Sequence, residues 1–216
     1  MIKQIRNSKF VIRNYQAGMT YVELIVVLSI FSVMTSIVLF NYNGFQSKID
    51  IRVLANDIAL KIVEAQKAAV SGKLPPLALQ SYINKVTWKP SYGVSFYPDS
   101  PEHFFYFTDL NNSNFFNGLN CNGECLNNIV ITKGNTFKIY NCVTEACLDS
   151  DSILISTPLS ITFKRPNSGA VFSFADSTSV TTGFNHFKIT ISSADTPPIT
   201  SDILVYPSGR IQINDN

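Results

Sequence analysis

Between Leu24 and Phe40 the chain runs LIVVLSIFSVMTSIVLF without a charge, a proline or a glycine. Away from water such a run can satisfy its own backbone only as a helix, and no proline interrupts the chain from Met19 to Ser71. Counted from Met19, about 22 residues precede Asn41, and at 1.5 Å each they reach roughly 33 Å, the thickness of a bilayer core. One carboxylate, Glu23, stands at the head of this run. A charge placed in hydrocarbon costs roughly 2.5–3.5 kcal/mol on insertion scales, so an acid there reads as functional and in need of a partner.

The residues before the run carry Lys3, Arg6, Lys9 and Arg13 and no acid. That bias holds the leader in the cytoplasm and sends the rest of the chain outward. An ordinary secretory signal is cut after its apolar region and loses it. Here a Gly18-Met19 junction lies ahead of the run, and Gly18-Met19-Thr20-Tyr21-Val22-Glu23-Leu24-Ile25 resembles the class III signal of type IV pilins and type II secretion pseudopilins. The resemblance implies cleavage by a prepilin peptidase between Gly18 and Met19, N-methylation of Met19, and an assembly role for Glu23, the fifth mature residue. Met19 stands where phenylalanine is more usual. Other implied partners are further pilins or pseudopilins through the N-terminal helix, an inner-membrane assembly platform and membrane lipid. The implied location is a single pass of the cytoplasmic membrane, N-in and C-out, and then an extracytoplasmic filament.

Two further stretches, Leu54-Ala55-Asn56-Asp57-Ile58-Ala59-Leu60 through Glu64-Ala65-Gln66-Lys67-Ala68-Ala69 and Ser208-Gly209-Arg210-Ile211-Gln212-Ile213, resemble the H-type minor pseudopilins and their minor-pilin relatives. Residues 75–200 match by general pattern alone. A minor pilin that captures DNA is the alternative function, resting on Arg210; its relatives carry a second basic residue where this chain has Gln212. Removing the leader leaves 13 cationic against 15 anionic side chains, net −2, which argues against a nucleic-acid partner.

The expected fold is α+β: a long N-terminal helix packed on a β-rich antiparallel head. Its expected parts are the leader 1–18, a membrane and assembly helix 19–40, an amphipathic half 41–72, and a head 73–216. Leu54, Ile58, Ile62, Ala65 and Ala69 recur at helical spacing opposite Arg52, Asp57, Lys61, Glu64 and Lys67, so that half should bury one face. Asn41, Asn43 and Gly44 are the first helix breakers, and Ser71-Gly72 with Pro75-Pro76 ends the helix. Beyond Pro76 the period switches to two, in short runs including Tyr92–Tyr97, Phe104–Thr108, Ile129–Thr132 and Phe187–Ile191, divided by Asn, Ser, Asp, Gly and Pro. The closing hairpin, Ile203–Tyr206 and Arg210–Ile213 around Pro207-Ser208-Gly209, is the clearest local signal.

Cys121 and Cys125, and Cys142 and Cys147, form two close pairs in a head expected outside the cytoplasm, where disulfides are the rule. The two local bridges lead, with crossed bridges, a zinc site of all four thiolates, and free thiols as alternatives. The zinc reading is the weaker because the spacings are C-x3-C and C-x4-C. Asp109 and Asn111 begin an oxygen-rich stretch with a faint calcium-loop character, but it lacks the closing bidentate acid, so a solvated Asn-rich turn is expected. His103 and His186 have no nucleophile motif near them and read as surface or satisfied strand residues. No G-x-S-x-G, P-loop or dinucleotide fingerprint is present, so the sequence gives no foothold for an enzyme and calls for no cofactor and no metal.

Overall fold

A computed structural model describes residues 18–83, 88–116, 118, 121, 123–175, 179–180 and 183–215. Apart from Gly18, the expected leader lies outside the described residues. The chain divides into two compact units between Asn43 and Gly44.

One helix, α1, spans Tyr21–Val70 and stays helical through Asn41, Asn43 and Gly44. Its start is fixed by Thr20, whose Oγ1 accepts the Glu23 N–H at 3.3 Å, the forward half of a capping box. At its end Gly72 takes a left-handed φ of 68°. Gly72 donates its N–H to the Ala69 carbonyl and Lys73 donates to Ala68, so the last carbonyls are closed in a Schellman turn.

From Gly44 onward the described residues of the second unit form eleven strands: β1 (Ser91–Phe96), β2 (His103–Thr108), β3 (Cys125–Val130), β4 (Thr136–Cys142), β5 (Ser152–Ile155), β6 (Leu159–Lys164), β7 (Ala170–Phe174), β8 (Ser179–Val180), β9 (His186–Ser192), β10 (Thr200–Val205) and β11 (Ile211–Asp215). They form a six-stranded sheet in the order β3-β2-β1-β6-β7-β8 and a five-stranded sheet in the order β11-β10-β9-β4-β5. Every pairing is antiparallel. The architecture is therefore α+β, with a helix over a two-sheet head.

The main core is shared by three faces. The helix supplies Ile51, Ala55, Ile58, Ile62, Ala65 and Ala69; the six-stranded sheet supplies Val94, Phe96, Phe104, Ile161 and Phe172; the five-stranded sheet supplies Ile139, Phe187, Ile189, Ile203 and Val205. Period-two alternation fails in β1 and β2, where nearly every residue is buried. The reason is a second core on the outer face of the six-stranded sheet, made by Tyr97, Phe105, Phe107 and Phe116 with Cys121 and Cys125 against them. A strand covered on both faces has no polar side to show, hence the continuous run His103-Phe-Phe-Tyr-Phe-Thr108.

The expected strand over 129–132 lies earlier, at Cys125–Val130. Asn127 and Asn128 read as loop because asparagine is depleted in strands, but β3 is an edge strand on which both are exposed. The short 3₁₀ turns Leu77–Tyr82 and Asp149–Asp151 and the two-residue β8 had no sequence signal.

Candidate functional site

Two regions hold the residues singled out from sequence. The first is the start of α1. Gly18, Met19 and Glu23 are all exposed, and Glu23 sits in the first helical turn, where a carboxylate also meets the positive end of the helix dipole. From Leu24 to Leu39 the helix surface is apolar and exposed throughout. Among the described residues this is the one helix long and apolar enough to cross a membrane, a candidate single span.

The second region is the loop after β2. Its tip, Asn111 and Asn112, is exposed as expected of a solvated turn, but its flanks are not, since Asp109, Phe115 and Phe116 are buried. Asp109 Oδ1 accepts the Ser113 N–H at 3.0 Å and Oδ2 accepts the Asn114 N–H at 2.9 Å. Lys164 Nζ stands 3.9 Å from Oδ2, and Asn111 Oδ1 accepts the Ser113 N–H as well. The oxygens expected to suit calcium are thus engaged by the protein's own donors, and the loop's left-handed residues Asn112 and Asn114 let it fold back over the sheet. Glu124 completes the clamp, its Oε1 accepting N–H groups from Leu110 and Asn111 at 3.0 and 3.3 Å. Burial pushes the Glu124 carboxyl up to about 6, helped by the nearby Asp109 charge and opposed by those two amides. Burial raises Asp109 too, against the pull of the Asn114 amide and Lys164. This arrangement pins Phe116 under Tyr97, whose hydroxyl donates to the Phe116 carbonyl at 2.9 Å.

The cysteines pair locally, Cys121 with Cys125 and Cys142 with Cys147, and none among the described residues is free. The crossed bridges and the four-thiolate zinc site are set aside: the metal-capable group among the described residues joins Cys142 and Cys147 to His186, not to the other pair. His103 lies edge-on to the Phe105 ring. His186 departs from the expected satisfied strand residue. It is buried, with Nε2 lacking a hydrogen-bond partner among the described residues, and burial, then the charges of Lys188 and Arg210, push its pKa down. Arg210 is exposed, with its guanidinium 3.8 Å above the centre of the Tyr206 ring.

Sequence reasoning gave no role to Thr20 or Glu124 and read His186 as a surface or satisfied strand residue. Thr20 was readable, since T-x-x-E ahead of an apolar run is a helix-start signature. The amide partners of Glu124 lie 14 and 13 residues away along the chain, and Cys142, opposite His186, belongs to another strand, so neither setting had a local signal. No family model, curated protein or solved structure matches the chain.

Proposed function

We propose that the chain is a minor pilin or pseudopilin, a structural subunit of a type IV pilus or type II secretion pseudopilus, processed between Gly18 and Met19. The observation that carries this reading is Glu23: a lone acid in the first turn of a helix whose next sixteen residues, Leu24–Leu39, are exposed and carry no charge. The portion of α1 after Gly44, by contrast, is built into the β-rich head.

Cleavage gives Met19 a new α-amino group. The Glu23 carboxylate of one copy pairs with that ammonium on its neighbour as the helix leaves the bilayer. In a low-dielectric surround the pair is strengthened, while either charge left alone is costly, so pairing sets the axial register of successive subunits. The apolar surface that follows anchors the monomer first and bundles with neighbouring helices afterwards. The chain sits N-in and C-out in the cytoplasmic membrane, a substrate there for prepilin peptidase and an assembly platform.

The test is Glu23→Ala in cells carrying the matching assembly machinery. Its level in the sheared filament fraction should drop while its membrane level holds; unchanged incorporation would overturn the pairing role. Intact mass of the wild type should show loss of residues 1–18 and gain of one methyl group.

A further inference from the structure

At one end of the five-stranded sheet a buried imidazole has a nitrogen with nothing to bond. His186 opens β9 directly opposite Cys142, the last residue of β4, and both are fully buried. Cys147 returns to the same spot through a left-handed backbone, φ 45°. The two Sγ atoms and an imidazole nitrogen all lie within 4.8 Å of one another. The ring also packs at a tilt of 37° against Tyr206, centroids 4.9 Å apart.

The tautomer follows from one contact. His186 Nδ1 lies 3.1 Å from Asn185 Oδ1, and an amide oxygen can only accept, so Nδ1 carries the proton. Nε2 therefore offers a bare lone pair, and among the described residues it has no hydrogen-bond partner. An unanswered buried polar atom costs about 1–3 kcal/mol and calls for an explanation. A disulfide has no proton to give it. Two thiolates and an imidazole held by a second-shell oxygen are, however, a recurrent zinc ligand set.

We propose that Cys142, Cys147 and His186 form a zinc site that opens when the Cys142–Cys147 bridge is reduced, a thiol-dependent metal switch in the head. With Zn–S bonds of about 2.3 Å in a tetrahedron, the two sulfurs would move to about 3.8 Å apart once the bridge is open, and the imidazole nitrogen already lies within 4.8 Å of both. A dithiol supplies two electrons and two protons, turning the bridge into two thiols and itself into a cyclic disulfide. Zn²⁺ then replaces the two thiol protons, which leave to solvent. Two thiolates neutralise the ion's charge. Lys188 Nζ donates to the Cys147 carbonyl at 3.5 Å, which sets a positive charge beside one of the two sulfur-bearing residues. The fourth position falls to water or to Glu145, an exposed acid on the connecting loop whose charge also reaches the ring. The site is independent of the assembly reading, since it uses no residue of the helix.

The test uses purified full-length protein in detergent, reduced with a phosphine under anaerobic conditions and titrated with Co²⁺ as a spectroscopic stand-in for zinc. One equivalent should give near-ultraviolet thiolate-to-cobalt absorption that Zn²⁺ displaces, and the oxidised protein should give none. Both bridges reduce together, so Cys121→Ser/Cys125→Ser is the control and should keep the band. His186→Ala should weaken Co²⁺ binding by roughly tenfold or more. No band in the reduced wild type, a band that vanishes in the control, or one that survives Cys142→Ser/Cys147→Ser overturns the proposal. The wild type and the control decide even if His186→Ala does not fold.

Discussion

At the scale of single residues, Glu124 shows how a carboxyl can hold a loop at a cost. Its Oε1 answers two amides, yet its carboxyl is pushed from 4.5 to about 6, mostly by burial. The native state therefore keeps the proton to higher pH than the unfolded chain, and linkage makes stability fall as pH rises through the window from about 4.5 to about 6. Glu124→Gln keeps an oxygen for the Leu110 and Asn111 N–H groups and removes the charge. It should be more stable than wild type at pH 7, by about 1 kcal/mol after allowing for the residue's partial exposure. That gap should close as pH falls to 4.5. Denaturant midpoints of both proteins across this range check it, and a gap independent of pH would contradict the burial argument. The neighbouring bridge carries a separate prediction. It closes a short loop, sequence separation 4, for which the chain-entropy estimate is about 2 kcal/mol. Cys121→Ser/Cys125→Ser should lose about that much in the same titration.

At the scale of elements, α1 carries two surfaces with opposite fates. Ile62 is 0% exposed in the shared core, while Leu60, two residues earlier, is 62% exposed. Ile62→Ala should cost about 2–5 kcal/mol through lost burial and the cavity left behind, and Leu60→Ala should stay within about 0.5 kcal/mol. Equal losses would mean that the helix docks on a different face. Gln66 ties the helix to two turns at once, its Nε2 donating to the Ser168 carbonyl at 2.8 Å and the Gly209 carbonyl at 3.1 Å. Gly209 is at φ 84°, and a Cβ there would collide with the Ser168 carbonyl and the Gln66 amide. The hairpin turn thus needs glycine for conformation and for space together. These elements differ in how far the sequence revealed them. The stripe Leu54, Ile58, Ile62, Ala65, Ala69 and the β10–β11 hairpin are local patterns, and both were legible. The second core was not, because Phe105 and Phe107 differ from Phe104 and Tyr106 only in which face of β2 they occupy, and the residues that cover the outer face, Phe116, Cys121 and Cys125, come from beyond the strand. The disulfide pairing was open among several alternatives as well, because cysteine spacing alone does not fix connectivity; in the fold Cys121 bonds Cys125 and Cys142 bonds Cys147.

At the scale of the whole molecule, every residue of both hydrophobic clusters falls at Ile51 or later, and the compact unit containing them begins at Gly44. The apolar surface from Leu24 to Leu39 belongs to the other unit and buries nothing of its own. The head's core and the exposed apolar run are then separate features, each coded by its own stretch of one helix. A chain beginning at Gly44 should fold without detergent and keep the antiparallel two-sheet head. Its helix loses the apolar turns before Gly44, but the face that matters is held by tertiary packing rather than by helix length. Its unfolding free energy should match that of the detergent-solubilised full-length protein within about 0.5 kcal/mol, the scatter expected for independent changes. Ile62→Ala should cost the same in both backgrounds. A short chain that is molten, or an Ile62→Ala loss that differs between the two by more than about 1 kcal/mol, would show that residues before Gly44 contribute to the head's core.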